Sequence, residues 1–284
     1  MLRGILAVAV AAVACGEVAA QDQQTTFRKA YQINDTATMR LTLARWRQQE
    51  PRNANVYVAR ASYLLRRAEQ SRGRKGSPAA PAGKAAAPTA AQLTEAAQDA
   101  LCQALTLAPD RLDVHFALAK SYEKQGDARQ QVVALRQALN SHGKNGQPWY
   151  WYDSAELPAP EGEFVPASLD DYAEFYWQQG GEAALATGKQ LTELITEFYP
   201  ESYLGPFNLS QYYSSRGQHE EALAQLKQAA KLQPKEAATL AALVKTSLVL
   251  GHKTEAQQYL TQLRKLPETQ ELVAELNQQL KQVK

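Results

Sequence analysis

The stretch from Ser202 to Pro234, SYLGPFNLSQYYSSRGQHEEALAQLKQAAKLQP, constrains the fold more than any other part of the chain. Two helical patterns lie back to back in it. Leu209 and Tyr213 stand four residues apart and share one helix face. Arg216-Gly217-Gln218 breaks that pattern where a helix ends. Glu220-Glu221 then put acids in the first turn of a second helix, where the positive end of its dipole favours them. Ala222, Leu226 and Ala229 recur at helical spacing, and Pro234, which has no N–H to donate, closes the unit.

Taken together, Leu209, Ser210, Tyr213, Gly217, Ala222, Leu226, Ala229 and Pro234 resemble the signature of the tetratricopeptide-repeat family, whose helix–turn–helix unit spans about 34 residues. The resemblance implies an all-α fold, a right-handed superhelical solenoid of about six helix pairs plus a C-terminal capping helix. It implies a binding surface and no particular ligand.

Other units follow the same plan with departures. Residues 22–51 read as a degenerate first unit, with Phe27, Ala30 and Tyr31 on one helix, Asn34-Asp35-Thr36 as turn and cap, and Met39, Leu43 and Trp46 on the next. Residues 53–71 carry Val56, Tyr57, Tyr63 and Leu64 on a helix whose partner is delayed to 94–109. Between them, 72–91 is rich in Ala, Pro and Gly and has no large apolar residue, so a disordered insertion is expected there. Its Arg72, Arg74, Lys75 and Lys84 make either a solvated basic loop or a contact for anionic lipid or polysaccharide. Leu118, Ala119, Tyr122 and Gly126 open the next unit, in which Gln131 stands where the family has Ala and is expected to loosen the pair.

Residues 144–168 read as an aromatic, proline-rich connector, because Pro148, Pro158, Pro160 and Pro166 disfavour a long helix. Trp149, Tyr150, Trp151 and Tyr152 either pack over neighbouring helix ends or form an exposed platform for a peptide or sugar ring. This divides the repeats into 21–143 and 169–284. In the second part Tyr172 and Phe175 fit the pattern, but Gly180-Gly181 comes early and Gly188 replaces Ala, which predicts a short first helix and a long second one ending near Phe198. Leu272, Leu276 and Leu280 line one face of a final helix whose other face is polar, as a cap requires.

Residues 1–20 read as an export signal. Arg3 precedes an apolar run from Ile5 to Ala14, and Val18-Ala19-Ala20 offers small residues for cleavage before Gln21, which predicts a periplasmic protein. A short membrane anchor and a lipoprotein acylated at Cys15 are the alternatives, the latter with Ala12 where such signals have Leu. Membrane attachment is expected only if Cys15 is lipidated. After cleavage Cys102 is the lone thiol, read as a small buried apolar residue.

A formal net charge of +2 over 284 residues argues against nucleic acid or an anionic membrane as the main partner. No catalytic motif is present. His115, His142, His219 and His252 have no second ligand at metal spacing, and no phosphate-binding glycine loop or nucleophile elbow occurs. No cofactor, metal or enzymatic role is expected. The resemblance instead implies a concave groove lined by first helices, here by Asp113, Phe116, Lys120, Lys124, Phe207, Gln211, Ser214 and Lys245, which holds an extended peptide or helix of a partner protein. Phe116 and Phe207 stand where the family's carboxylate clamp has cations, and Asn208 alone is no clamp, so binding of a C-terminal carboxylate is rejected. The expected role is that of a periplasmic scaffold or adaptor. The alternative is a carbohydrate or small-ligand module centred on Trp149 to Tyr152.

Overall fold

Alternating apolar stripes and turn residues become helical hairpins in the computed structural model, which describes residues 22–72, 87–152 and 155–282. The leader at 1–20, with Cys15, lies outside the described residues, as does most of the insertion. The chain falls into two compact units, 1–156 and 157–284. Among the described residues there are helices and isolated bridges but no strand.

In the first unit α1 spans 22–32 and α2 Thr36–Gln49. Asp35 caps α2, its carboxylate accepting from the Thr38 N–H at 3.0 Å. Phe27, Ala30, Met39 and Trp46 are buried against Val56 and Ala59 of α3, Ala54–Arg72, as the spacing predicts. α3 pairs with α4, Ala90–Leu107, although 17 residues separate them. Ala61, Ala97, Ala100, Leu101 and Ala104 bring the two backbones together over Val114 and Leu118 of α5, Leu112–Gln125. The insertion is shorter than 72–91 because both helices reach into it. Arg72 ends α3, and Thr89 starts α4 with a reciprocal capping box to Gln92.

α5 pairs with α6, Ala128–Asn145. Gln131 is fully buried, and its Nε2 donates to Glu123 of α5 at 3.3 Å. A polar contact thus occupies the place of the family's small residue. Cys102, in contrast to the sequence expectation, is exposed: Leu101 and Ala104 carry the buried stripe of α4, and Cys102 sits beside it.

The second unit is a run of α7 Glu161–Gln179, α8 Glu182–Phe198, α9 Leu204–Ser215, α10 His219–Leu232, α11 Ala237–Val249, α12 Lys253–Leu263 and α13 Gln270–Gln282. Each helix packs on the next, and α7 also touches α9. The connector expected to reach residue 168 ends at 160, because α7 begins at Glu161 and carries Pro166 within it. An interior proline costs about 3 kcal/mol. Burial of Val165, Leu169, Tyr172 and Ala173 on the same helix offsets that cost. α7 is therefore 19 residues long, not short.

The repeat turn depends on Gly217, whose φ of +73° places it in the left-handed region that a residue with Cβ rarely adopts. Ala222, Leu226 and Ala229 then lie fully buried on α10. At the end of the chain, Val273 and Leu276 of α13 close the core formed by Leu240, Leu243, Leu260 and Leu263. α13 thus serves as the expected cap.

Candidate functional site

α7 presents Asp170, Glu174 and Trp177 at spacings of four and three, on the face turned away from its buried Leu169, Ala173 and Tyr176. α9 presents Phe207, Asn208, Gln211 and Tyr212 opposite them. Both are first helices of successive hairpins. Where they meet, with Leu185 of α8 at the back, they enclose a cleft of about 560 Å³. That volume lies within the range of small-ligand and side-chain pockets.

Two features fix the cleft walls. Trp177 lies on α8 with its fused ring edge so close that a Cβ on Gly188 would stand 2.9 Å from Cδ2 and Cε3. The missing alanine at 188 is therefore what seats this indole. Asn208, itself buried, donates from Nδ2 to Asp170 Oδ1 and ties α9 to α7. Burial pushes the Asp170 carboxyl up to about 6; the Asn208 hydrogen bond opposes that shift, while Asp171 and Glu174 add to it. Glu174 accepts from Gln178 Nε2 at 2.9 Å along its own helix.

Of the residues expected to line a groove, Phe207 and Gln211 fall in this cleft. Ser214 is half-buried on α9 and Lys245 is exposed on α11, and neither lines it. In the first unit the expected surface is largely engaged by its own chain. Asp113 is buried rather than outward, because Arg111 binds both its carboxylate oxygens at 2.7 and 2.6 Å. Arg111 Nη1 also donates to Asn55 of α3 at 2.8 Å. Lys120 pairs with Glu123 at 2.5 Å, and Lys124 reaches Glu69 of α3 at 2.6 Å. Phe116 meets Trp151 edge to face at 6.1 Å.

The four aromatics do not form a shared platform. Trp149 is only 5% exposed and stacks on His142 at 4.2 Å, with His115 edge-on at 5.3 Å. Tyr150 is stitched to the α4–α5 corner, its N–H donating to the Asp110 carbonyl and its own carbonyl accepting from Leu112, both at 3.1 Å. Trp151 exchanges two backbone bonds with Ala155. Tyr152 alone is largely open, at 58% exposure. Packing over helix ends is thus what this segment does. The half-buried His115 is held below its ordinary pKa by desolvation, against the Pro109 carbonyl bond, which raises it.

Asp170, Glu174, Trp177 and Tyr212 were not foreseen. The spacing 170, 174, 177 and the glycine at 188 carry that signal, but a helix that is expected to be short and to start only after residue 168 masks it. Among the described residues no group of three His, Cys, Asp or Glu side chains is placed to hold a metal ion. Among them, too, no helix is long and apolar enough to cross a membrane.

The successive hairpins, the glycine turns and the capping helix define a helical-hairpin repeat protein. Residues 207–236 match the family model described as tetratricopeptide repeat, and the hairpins around that match share its helix–turn–helix plan. No curated protein matches the sequence significantly. Among solved structures, PilW, described as a widely conserved type IV pilus biogenesis factor, is similar at 13% identity over 91% of this chain and 98% of that one, with a TM-score of 0.40. PilF of Pseudomonas aeruginosa is similar at 12% identity over 93% of this chain and 98% of that one, with a TM-score of 0.40. YrrB, described as having an unusual peptide-binding site, is similar at 11% identity over 83% and 97%, with a TM-score of 0.43.

Proposed function

We propose that the chain is a non-catalytic protein-interaction module that docks a peptide or helix of a partner protein where α7 and α9 meet. The observation that carries this reading is the α7/α9 cleft itself. It is a concave site on first helices, with aromatic walls and a few polar groups, the composition that peptide recognition uses. The comparable residues of the first unit are held by ion pairs within it. The leader pattern at 1–20 supports an exported, periplasmic protein.

The docking reading is tested by placing a photo-crosslinking amino acid at Gln211 in the cleft and, separately, at the exposed Ala224 of α10. The expected result is a discrete protein adduct at 211, lost on Trp177→Ala, and none at 224. Equal labelling at both positions refutes the cleft as the docking site. Export is tested by fractionating cells that make the full chain. Recovery in the cytoplasm with Met1 still in place overturns it.

A further inference from the structure

The α7/α9 cleft carries charge of one sign. Asp170 and Glu174 line it, and no Lys, Arg or His does so among the described residues. Two cations stand near its rim, 5.9 and 5.6 Å from the Tyr212 ring centroid, but both are committed: Lys189 to Glu193 and Arg216 to Glu182. The remaining wall combines the aromatic rings of Trp177, Phe207 and Tyr212 with Leu185 and neutral polar side chains such as Gln211 and Ser215. We infer that the cleft receives one basic side chain, arginine or lysine, from the docked segment. The inference rests on the docking reading above and names the chemistry that this site selects.

Three properties of the site support it. First, Lys and Arg carry an apolar stem beneath a charged head, which matches aromatic walls leading to carboxylates. Second, the indole and phenol faces attract a cation in a partly desolvated site. Third, among the described residues no cation is seen to act on the Asp170 carboxyl. The charged and titratable groups that influence it are Asp171 and Glu174 on its own helix, and Tyr203 at the start of α9 is influenced by it in turn. None of these is cationic, and the one neighbour that eases the charge is the neutral Asn208 amide. A guanidinium or ammonium group supplies the opposite charge. A carboxylate ligand would meet two like charges, which selects against it.

The test uses the full chain and three peptides, acetyl-Gly-Ser-X-Ser-Gly-amide with X as arginine, norleucine or glutamate. Binding is followed by the indole N–H signal of Trp177, assigned with Trp177→Phe. The arginine peptide is expected to shift that signal at a Kd at least about tenfold below that of the norleucine peptide, the factor that one retained charge interaction of ordinary strength gives. The glutamate peptide is expected to leave it unmoved. Asp170→Asn and Glu174→Gln should each bring arginine toward the norleucine level. Glu174 is exposed, so Glu174→Gln stands as a second variant whose fold is not at stake. Because a bound cation favours the ionised Asp170, affinity should fall about tenfold between roughly pH 7.5 and 5. Norleucine or glutamate binding as well as arginine overturns the basic-side-chain inference and leaves docking intact. Silence from all three peptides, with an adduct still trapped at 211, has the same meaning. Silence together with no adduct overturns both.

Discussion

The seat of Trp177 on Gly188 gives a double-mutant test whose outcome the structure fixes in sign. Gly188 lies in the interior of α8, where replacing glycine by alanine ordinarily stabilises a helix by about 1 kcal/mol. Here the new Cβ would stand 2.9 Å from two indole carbons and 3.0 Å from a third. The ring must move, and overpacking of this kind costs about 1–3 kcal/mol. Gly188→Ala is therefore expected to leave stability unchanged or lower it by up to about 2 kcal/mol, the difference of those two terms. In a Trp177→Ala background the obstacle is gone, and the same substitution should stabilise by about 1 kcal/mol. The coupling between the two sites is then about 1–3 kcal/mol. Urea unfolding followed by circular dichroism at 222 nm reads all four variants. Additivity within about 0.5 kcal/mol refutes the reasoning, since it means the indole does not rest on residue 188. The displaced ring in Gly188→Ala should also weaken binding at the cleft, which couples this contact to function.

Other perturbations read different parts of the molecule. Arg111→Ala leaves the Asp113 carboxylate buried without its partner and should cost about 3–5 kcal/mol by urea unfolding, whereas Arg111→Met with Asp113→Leu should recover most of it. Asp170→Asn removes a carboxyl whose folded pKa, about 6, exceeds the 3.8 of the free group. The native state takes up that proton more readily, so this group adds stability as pH falls from neutral toward 4 and withdraws it as pH rises through 6. Asp170→Asn should accordingly raise stability at pH 7 by about 1 kcal/mol, discounted for solvent screening, and remove that part of the pH dependence. Cys102 is exposed, yet partial burial and the nearby Asp99 raise its pKa, so iodoacetamide should label the native protein slowly at pH 7 and faster as pH rises. Protection of Cys102 at pH 9 until the chain is unfolded would contradict its placement.

Repeat units whose residues follow the family spacing were legible in the sequence. Leu226, Ala229 and Gly217 announced α10 and its turn because burial and left-handed geometry each admit few residue types. The first two turns of α7 were not, because proline counting treats every proline alike. Pro158 and Pro160 lie before the helix starts, while Pro166 sits inside it with buried neighbours that outweigh its cost. Asp113 looked like a surface acid because the register of its helix is readable but its partner Arg111, two residues earlier, precedes the helix and turns back onto it. The Trp149–Tyr152 run could be read either way from sequence, since whether such a run packs or projects depends on which histidines stand beneath it. The cleft depends on how α7 and α9 approach one another, and Gly188, which seats the Trp177 indole in its wall, appeared in the sequence only as a departure from a pattern.

The α3/α4 hairpin holds its core across 17 intervening residues, whereas two residues join α5 to α6. By polymer statistics the longer closure costs only about 2 kcal/mol more. The buried alanine seam between the helices, not the connection, therefore specifies that pair. Lengthening that connection is correspondingly cheap, so a foreign domain inserted between Arg72 and Thr89 should leave the neighbouring hairpins folded.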